Sequence, residues 1–150
     1  MSDNCLLHAS LVAFDDYGVL LQGKSGYGKS DLALRLIENK GAVLVADDVV
    51  FMEKKEQKLS GKAPQNIAGK LEIRGVGIVD YPYKKEVEPV LNINLVNSAD
   101  KVERMPKERT TCILGLEIPQ IDLYAKENSA PDKVVAVLRC IKKQQRERRL

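Results

Sequence analysis

The chain has 150 residues, 44% of them hydrophobic and 30% charged, with a net charge of +3. That length suits one domain with an adequate core, and that balance excludes a disordered chain. The charge is too small to indicate nucleic-acid binding, a 5% aromatic content without Trp argues against a base-stacking surface, and no apolar run approaches the ~20 residues that span a bilayer. Cys5, Cys112 and Cys140 are odd in number, far apart and without C-x-x-C spacing. They predict reduced thiols in a cytoplasmic protein rather than a disulfide framework or zinc site. The start of the chain has no basic segment leading into a long apolar run, so no signal peptide is expected.

Ala9–Phe14 reads as a strand, with His8 just before it, and Asp15–Gly18 reads as a tight turn into a second strand ending at Gln22. A glycine-rich loop follows. Ser30–Lys40 then carries Leu32, Ala33, Leu36 and Ile37 as one helical stripe, with Lys40 and Gly41 as a stop. Ala42–Ala46 is a buried strand ending in Asp47-Asp48, Val49–Met52 continues extended, Glu53–Lys58 is a charged turn, and Leu59–Ala68 is irregular. Leu71–Val79 begins as a short strand and becomes a glycine-rich functional loop. Val90–Val96 alternates as a half-buried strand, and Ser98–Thr111 is a polar, basic surface segment. Cys112–Pro119 is extended and leads to Ile121–Tyr124. Asp132 caps a last helix bearing Val134, Val135, Val137, Leu138 and Ile141, which runs out into the basic stretch Lys142–Arg149. Neither repeats nor a linker interrupt this order, so residues 1–150 are expected to form a single α/β domain with a mixed, twisted sheet.

Gly23-Lys24-Ser25-Gly26-Tyr27-Gly28-Lys29-Ser30 fits G-x-x-x-x-G-K-[ST], the phosphate-cradling P-loop. Each part has its own task. The glycines admit backbone conformations that a Cβ forbids, so successive N–H groups can face an anion. Lys29 can reach terminal phosphates, the Ser30 hydroxyl can bind Mg²⁺, and the following helix presents its positive end. The context, strand before and helix after, is the one the motif requires.

Asp47-Asp48 closes a buried strand, where ligands of open α/β sheets gather. Adjacent strand residues face opposite ways, so the two carboxylates should have different tasks, one toward a transferred phosphoryl group and one toward supporting structure. Glu72 and Arg74, two apart, should share a strand face and suit a Mg²⁺ ligand beside a phosphate clamp, or simply a surface ion pair. His8 is the only histidine. The basic residues Lys101, Arg104, Lys107, Arg109 and those of the tail can be a solvated face or meet a protein partner.

These segments converge. Leu7-His8-Ala9-Ser10, the P-loop followed by Asp31, Val45-Ala46-Asp47-Asp48 and Leu71-Glu72-Ile73-Arg74-Gly75-Val76-Gly77-Ile78-Val79-Asp80 together resemble the kinase domain of the bacterial HPr kinase/phosphorylase family. The resemblance implies a phosphoenolpyruvate-carboxykinase-like nucleotide-binding architecture and Mg²⁺- and ATP-dependent phosphorylation of a serine of the phosphocarrier protein HPr. It also implies reversal by inorganic phosphate, giving pyrophosphate. It implies further that Gly23, Lys24, Ser25, Gly26, Tyr27, Gly28, Lys29 and Ser30 bind the phosphates, and that Ser30 and Glu72 hold Mg²⁺. Asp47 is then the general base, Asp48 and His8 its supporting pair, and Arg74 a residue near the phosphates. A homo-oligomer, often a hexamer, is implied, with no nucleic acid and no membrane among its partners. Lys24 and Asp31 depart from the usual residues, the family's proline- and Gly-Arg-Asn-containing stretch is replaced by Ile113–Pro119 and Ser129–Val137, and a short form lacking the N-terminal domain is expected. The rivals are a small-molecule P-loop kinase and a nucleotide-binding regulatory sensor.

Overall fold

A computed structural model describes residues 3–148. Strand β1 (Asn4–Phe14) is the spine of the sheet. Its second half pairs antiparallel with β2 (Tyr17–Gln22) through the turn at Asp15-Asp16, where Asp15 takes φ 55°. Its other neighbours are β3 (Val43–Ala46) and β4 (Val49–Lys55), both antiparallel to it and successive along its length. β5 (Lys58–Lys62) returns on β4. β8 (Glu88–Val96) lies parallel to β2, and β10 (Leu116–Tyr124) lies parallel to β8 with β9 (Arg109–Ile113) antiparallel at its edge. The sheet is therefore mixed, ordered β5-β4-β1-β2-β8-β10-β9 with β3 beside β1. Apart from it stands a two-stranded hairpin, β6 (Lys70–Ile73) and β7 (Gly77–Asp80).

Both helices pack on one face. Leu32, Ala33 and Leu36 of α1 (Lys29–Lys40) and Val134, Leu138 and Ile141 of α2 (Ala130–Arg148) meet Val12, Val19, Leu21, Leu91, Ile93, Leu95 and Leu123. Full burial of each such side chain is worth about 1.5–3 kcal/mol. α1 ends as its sequence dictates: Gly41 takes φ 77°, and the Ala42 amide returns to the Leu36 carbonyl at 3.2 Å. Arg35 reaches from α1 to the carbonyls of Ala125 and Glu127, tying the helix to the end of β10. The opposite sheet face has its own core, in which Ala9, Leu11, Ala13 and Leu20 meet Val45, Val50, Met52, Leu59, Ile113 and Ile118.

Several expected elements change. His8 does not precede the first strand but lies inside it, because Asn4–His8 pair with Val49–Glu53. The charged turn shrinks to Glu56-Gln57, and Leu59–Lys62, expected as irregular, is strand β5. Gly61 is there for space, since an added Cβ would lie 2.6 Å from Leu11 Cδ2. β8 is buried on both faces rather than half-buried; its polar residues are accommodated by cross-strand bonds, Asn92 Nδ2 donating to Gln120 and Asn94 Nδ2 to Asp122, each at 2.9 Å. The extended stretch after Cys112 is a hairpin, turned at Leu114-Gly115 with φ 49° and 82°. α2 starts at Ala130, so Asp132 is not its cap; it sits in the first turn and pairs with Lys40 of α1. The basic stretch is helical through Arg148, and Arg149 lies outside the described residues. No helix among the described residues is long and apolar enough to cross a membrane.

Gly18 is not a turn residue but a contact. A Cβ there would lie 2.8 Å from the Glu88 carbonyl oxygen and 3.0 Å from Pro89 Cα, both backbone of β8. Gly18→Ala should therefore destabilise the fold by about 1–3 kcal/mol, read as a lower urea midpoint at unchanged slope, because overpacking against backbone is not relieved by a rotamer change.

Candidate active site

The loop Gly23–Ser30 leaves the carboxyl end of β2 and opens α1. Gly26 and Gly28 take φ 87° and 97°, left-handed conformations that side chains with a Cβ rarely adopt. No side chain caps α1; the helix starts from the Gly28 carbonyl, which accepts from the Leu32 amide at 2.9 Å. The first-turn amides of Lys29, Ser30 and Asp31 have no partner within the helix and form a positive terminus. Lys29 Nζ reaches back across the loop to the Gly23 carbonyl at 2.6 Å.

β3 and β4 are one antiparallel partner of β1, interrupted at Asp47-Asp48. The break is a γ-turn: the Val49 amide donates to the Asp47 carbonyl at 2.8 Å across Asp48, whose φ is 68°. A non-glycine residue held there stores on the order of 1–3 kcal/mol of strain. The turn gives the two aspartates opposite surroundings. Asp47 is buried. Its Oδ1 accepts from the Ser10 hydroxyl at 2.8 Å and from the Ser30 hydroxyl at 2.7 Å, and its Oδ2 accepts from the Glu72 amide at 3.2 Å. Asp48 is exposed, with its main chain held by the Ala9 amide on its carbonyl at 3.2 Å and its own amide on Ser10 Oγ at 3.4 Å.

Ser10, Ser30, Asp47 and the backbone of Glu72 thus meet at one carboxylate. The Glu72 side chain is exposed. Glu72 and Arg74 do not share a strand face as expected: β6 ends at Ile73, and Arg74 lies in the turn before β7, where Gly75 takes φ 85°. The hairpin is fixed by Leu71, fully buried in the helix-side core, and by Lys70 with Asp80 at 2.5 Å. Just beyond it the Tyr81 hydroxyl donates to Glu38 of α1 at 2.7 Å, and that bond holds the phenol above its ordinary pKa. Ile78, the direct partner of Glu72, and Val76 are exposed at 70% and 72%. His8 is exposed on β1 opposite Val49, beside the strained turn.

Ser10 is the site residue that sequence reasoning left without a role. Its signal was a hydroxyl inside an apolar strand, and its acceptor lies 37 positions away. Among the described residues no three His, Cys, Asp or Glu side chains cluster around a cation position. Ser30 nonetheless fits a magnesium ligand, because it gives its proton to Asp47 and keeps its oxygen lone pairs for a cation.

A family model described as the HPr Serine kinase C-terminal domain matches residues 1–148. An HPr kinase/phosphorylase of Chlorobium phaeobacteroides is 41% identical over 128 residues, covering 77% of this chain and 39% of that protein. One of Clostridium tetani is 40% identical over 111 residues, covering 74% and 36%. The chain thus spans under half the length of these curated relatives. A solved structure of the HPr(Ser) kinase/phosphatase of Coxiella burnetii superposes with a TM-score of 0.83 at 30% identity, covering 95% of this chain and 99% of that one. The chain belongs to the HPr serine kinase C-terminal domain family.

Proposed function

We propose that this chain transfers the γ-phosphoryl group of ATP to a serine of HPr, and that it reverses the transfer with inorganic phosphate. The observation that carries the proposal is the Asp47 carboxylate joining the loop hydroxyl of Ser30 to an exposed, strained Asp48 one residue on. Phosphoryl transfer asks for positioned phosphates, charge neutralisation and an oriented nucleophile, and little else. The loop amides, the α1 terminus and Lys29 take the phosphates, Lys29 exchanging the Gly23 carbonyl for phosphate oxygens. Ser30 and the Glu72 carboxylate would hold Mg²⁺, which would supply positive charge to offset that developing on the phosphates. Arg74 adds a guanidinium from the hairpin turn.

We assign the two aspartates the reverse of the roles expected from the sequence. A general base must reach the proton it removes. Asp47 is buried and already accepts three hydrogen bonds, so it serves as the anchor that orients Ser30. Asp48 is the base. Its carboxylate takes the seryl proton as the seryl oxygen forms a bond to the γ-phosphorus and the bond to the ADP oxygen breaks. In reverse, a phosphate oxygen attacks the phosphoserine phosphorus, the serine oxygen leaves with the proton from Asp48, and pyrophosphate forms. His8 supports Asp48 from β1. Asp48 lies on the surface, and the exposed Ile78 stands opposite Glu72 on the hairpin that Asp47 holds, a setting suited to a protein acceptor rather than to an enclosed small molecule. We further read the architecture as phosphoenolpyruvate-carboxykinase-like, the chain as one domain, the location as cytoplasmic and the assembly as a homo-oligomer.

Labelled ATP with Mg²⁺ should mark purified HPr but not HPr with its target serine changed to alanine, and Lys29→Ala should abolish the label. ATP binding without label on HPr would sink the proposal and favour a sensor. Asp48→Asn should lower transfer by about 10²–10⁴-fold. It should retain ATP binding and melt no lower than wild type, since Asn tolerates positive φ. Asp47→Ala should instead lower stability by about 1–3 kcal/mol, because the Glu72 N–H would lose its acceptor. Wild-type rates for Asp48→Asn would show that the base lies elsewhere.

A further inference from the structure

β2 and β8 are parallel neighbours, with Gln22 paired to Asn94, so the loops leaving their carboxyl ends rise side by side. A crevice of this kind, between loops at the carboxyl edge, is where ligands of open α/β sheets bind. A cavity of about 410 Å³ fills it, lined by Gly23, Lys24 and Tyr27 from one loop and by Asn94, Leu95, Val96, Asn97 and Lys101 from the other side. Its volume falls within the roughly 300–1,000 Å³ usual for small-ligand pockets. Lys29, Ser30, Asp47 and Glu72 do not line it, so it adjoins the phosphate-gripping loop on the side away from the transfer chemistry.

Resting on the phosphate-binding reading above, we infer that this cavity takes the nucleoside half of the nucleotide and that Asn97 reads it. The floor is built to stay still. A Cβ on Gly23 would lie 3.0 Å from Leu95 Cβ and 3.2 Å from the Leu95 carbonyl, so loop and strand touch closely. Asn94 is fixed by its bond to Asp122 at 2.9 Å. Tyr27 both packs against the helix-side core and lines the cavity, bringing an aromatic ring on which a base can stack. Asn97 is exposed at the mouth, and its amide carries both a donor and an acceptor, the complement of a base edge. Lys24 and Lys101 at the rim add positive charge toward the phosphate bridge. The larger cavity, about 800 Å³ between residues 101–110 and α2, touches no residue of the phosphate loop and has no such continuity.

Calorimetric titration of the full chain with Mg-ATP and with Mg-pyrophosphate tests the inference, because the two ligands share phosphates and differ in the nucleoside. Asn97→Ala, and Asn97→Tyr to obstruct the cavity, change an exposed side chain outside the phosphate loop. Each should raise the Kd for ATP about tenfold, the equivalent of one well-made hydrogen bond, and leave that for pyrophosphate within about twofold. Equal loss for both ligands would assign the cavity to the phosphates, and no loss for either would put the nucleoside elsewhere; both overturn the inference. A wild-type chain that binds neither ligand would overturn the phosphate-binding reading itself, and the inference with it.

Discussion

The fold converges on one buried carboxylate. Asp47 sits where β3 would pass into β4 and holds together three segments remote in sequence: Ser10 of β1, Ser30 at the head of α1 and the Glu72 amide of the β6–β7 hairpin. Hydrogen bonds to a charged acceptor are worth about 1.5–3 kcal/mol each, but burying a carboxylate costs several kcal/mol. The two terms nearly cancel, so the node contributes little net stability. What it contributes is position. Without it the hairpin is tied to the rest of the fold by Leu71, Ile73, Tyr81 and flanking backbone, and a two-stranded hairpin alone is marginal in water.

The same break in the strand separates the two aspartates. In an uninterrupted strand the residue after Asp47 would continue the pairing with β1, its side chain on the opposite face. The γ-turn instead lifts Asp48 to the surface and leaves its carboxylate outside the buried hydrogen-bond cluster, at the cost of a positive φ. Strain of this kind persists only where neighbours over-determine it. Here the over-determination is visible: Ala9 and Ser10 grip the Asp48 backbone from β1 while Ser10 also grips the Asp47 side chain. One serine therefore holds both the anchor and the turn that exposes its neighbour.

Local features were legible in the sequence. The strand–loop–helix unit around Gly23–Ser30 and the Gly41 stop follow from spacing over a dozen residues, and the helix stripe Leu32, Ala33, Leu36 is the buried one. Features that depend on remote partners were not. Asn4–His8 alternates between exposed and half-buried and becomes strand only because β4 supplies hydrogen bonds. Leu59–Ala68 reads as irregular, yet Gly61 lies within β5 and leaves a gap for Leu11. Asn92 and Asn94 read as the solvent face of β8 because their acceptors, Gln120 and Asp122, lie 28 positions later. Alternation said that Asp47 and Asp48 face opposite ways but not which faces inward; that choice belongs to Ser10, Ser30 and the Glu72 amide, none of which is near them in sequence.

The arrangement explains why so much of the chemistry sits at one edge. β2 has an antiparallel neighbour on one side, β1, and a parallel neighbour on the other, β8. On the β1 side, β3 lies across β1 and, like β2, runs antiparallel to it, so its carboxyl end brings Asp47-Asp48 level with the start of the loop and the carboxylates meet the loop amides. On the β8 side the parallel strand ends level with β2, so two loops rise together and leave a crevice of ligand size. Between β2 and β3 the strand β1 runs the opposite way and places Ser10 against Asp47. The mixed order β1-β2-β8 supplies both flanks of the loop Gly23–Ser30.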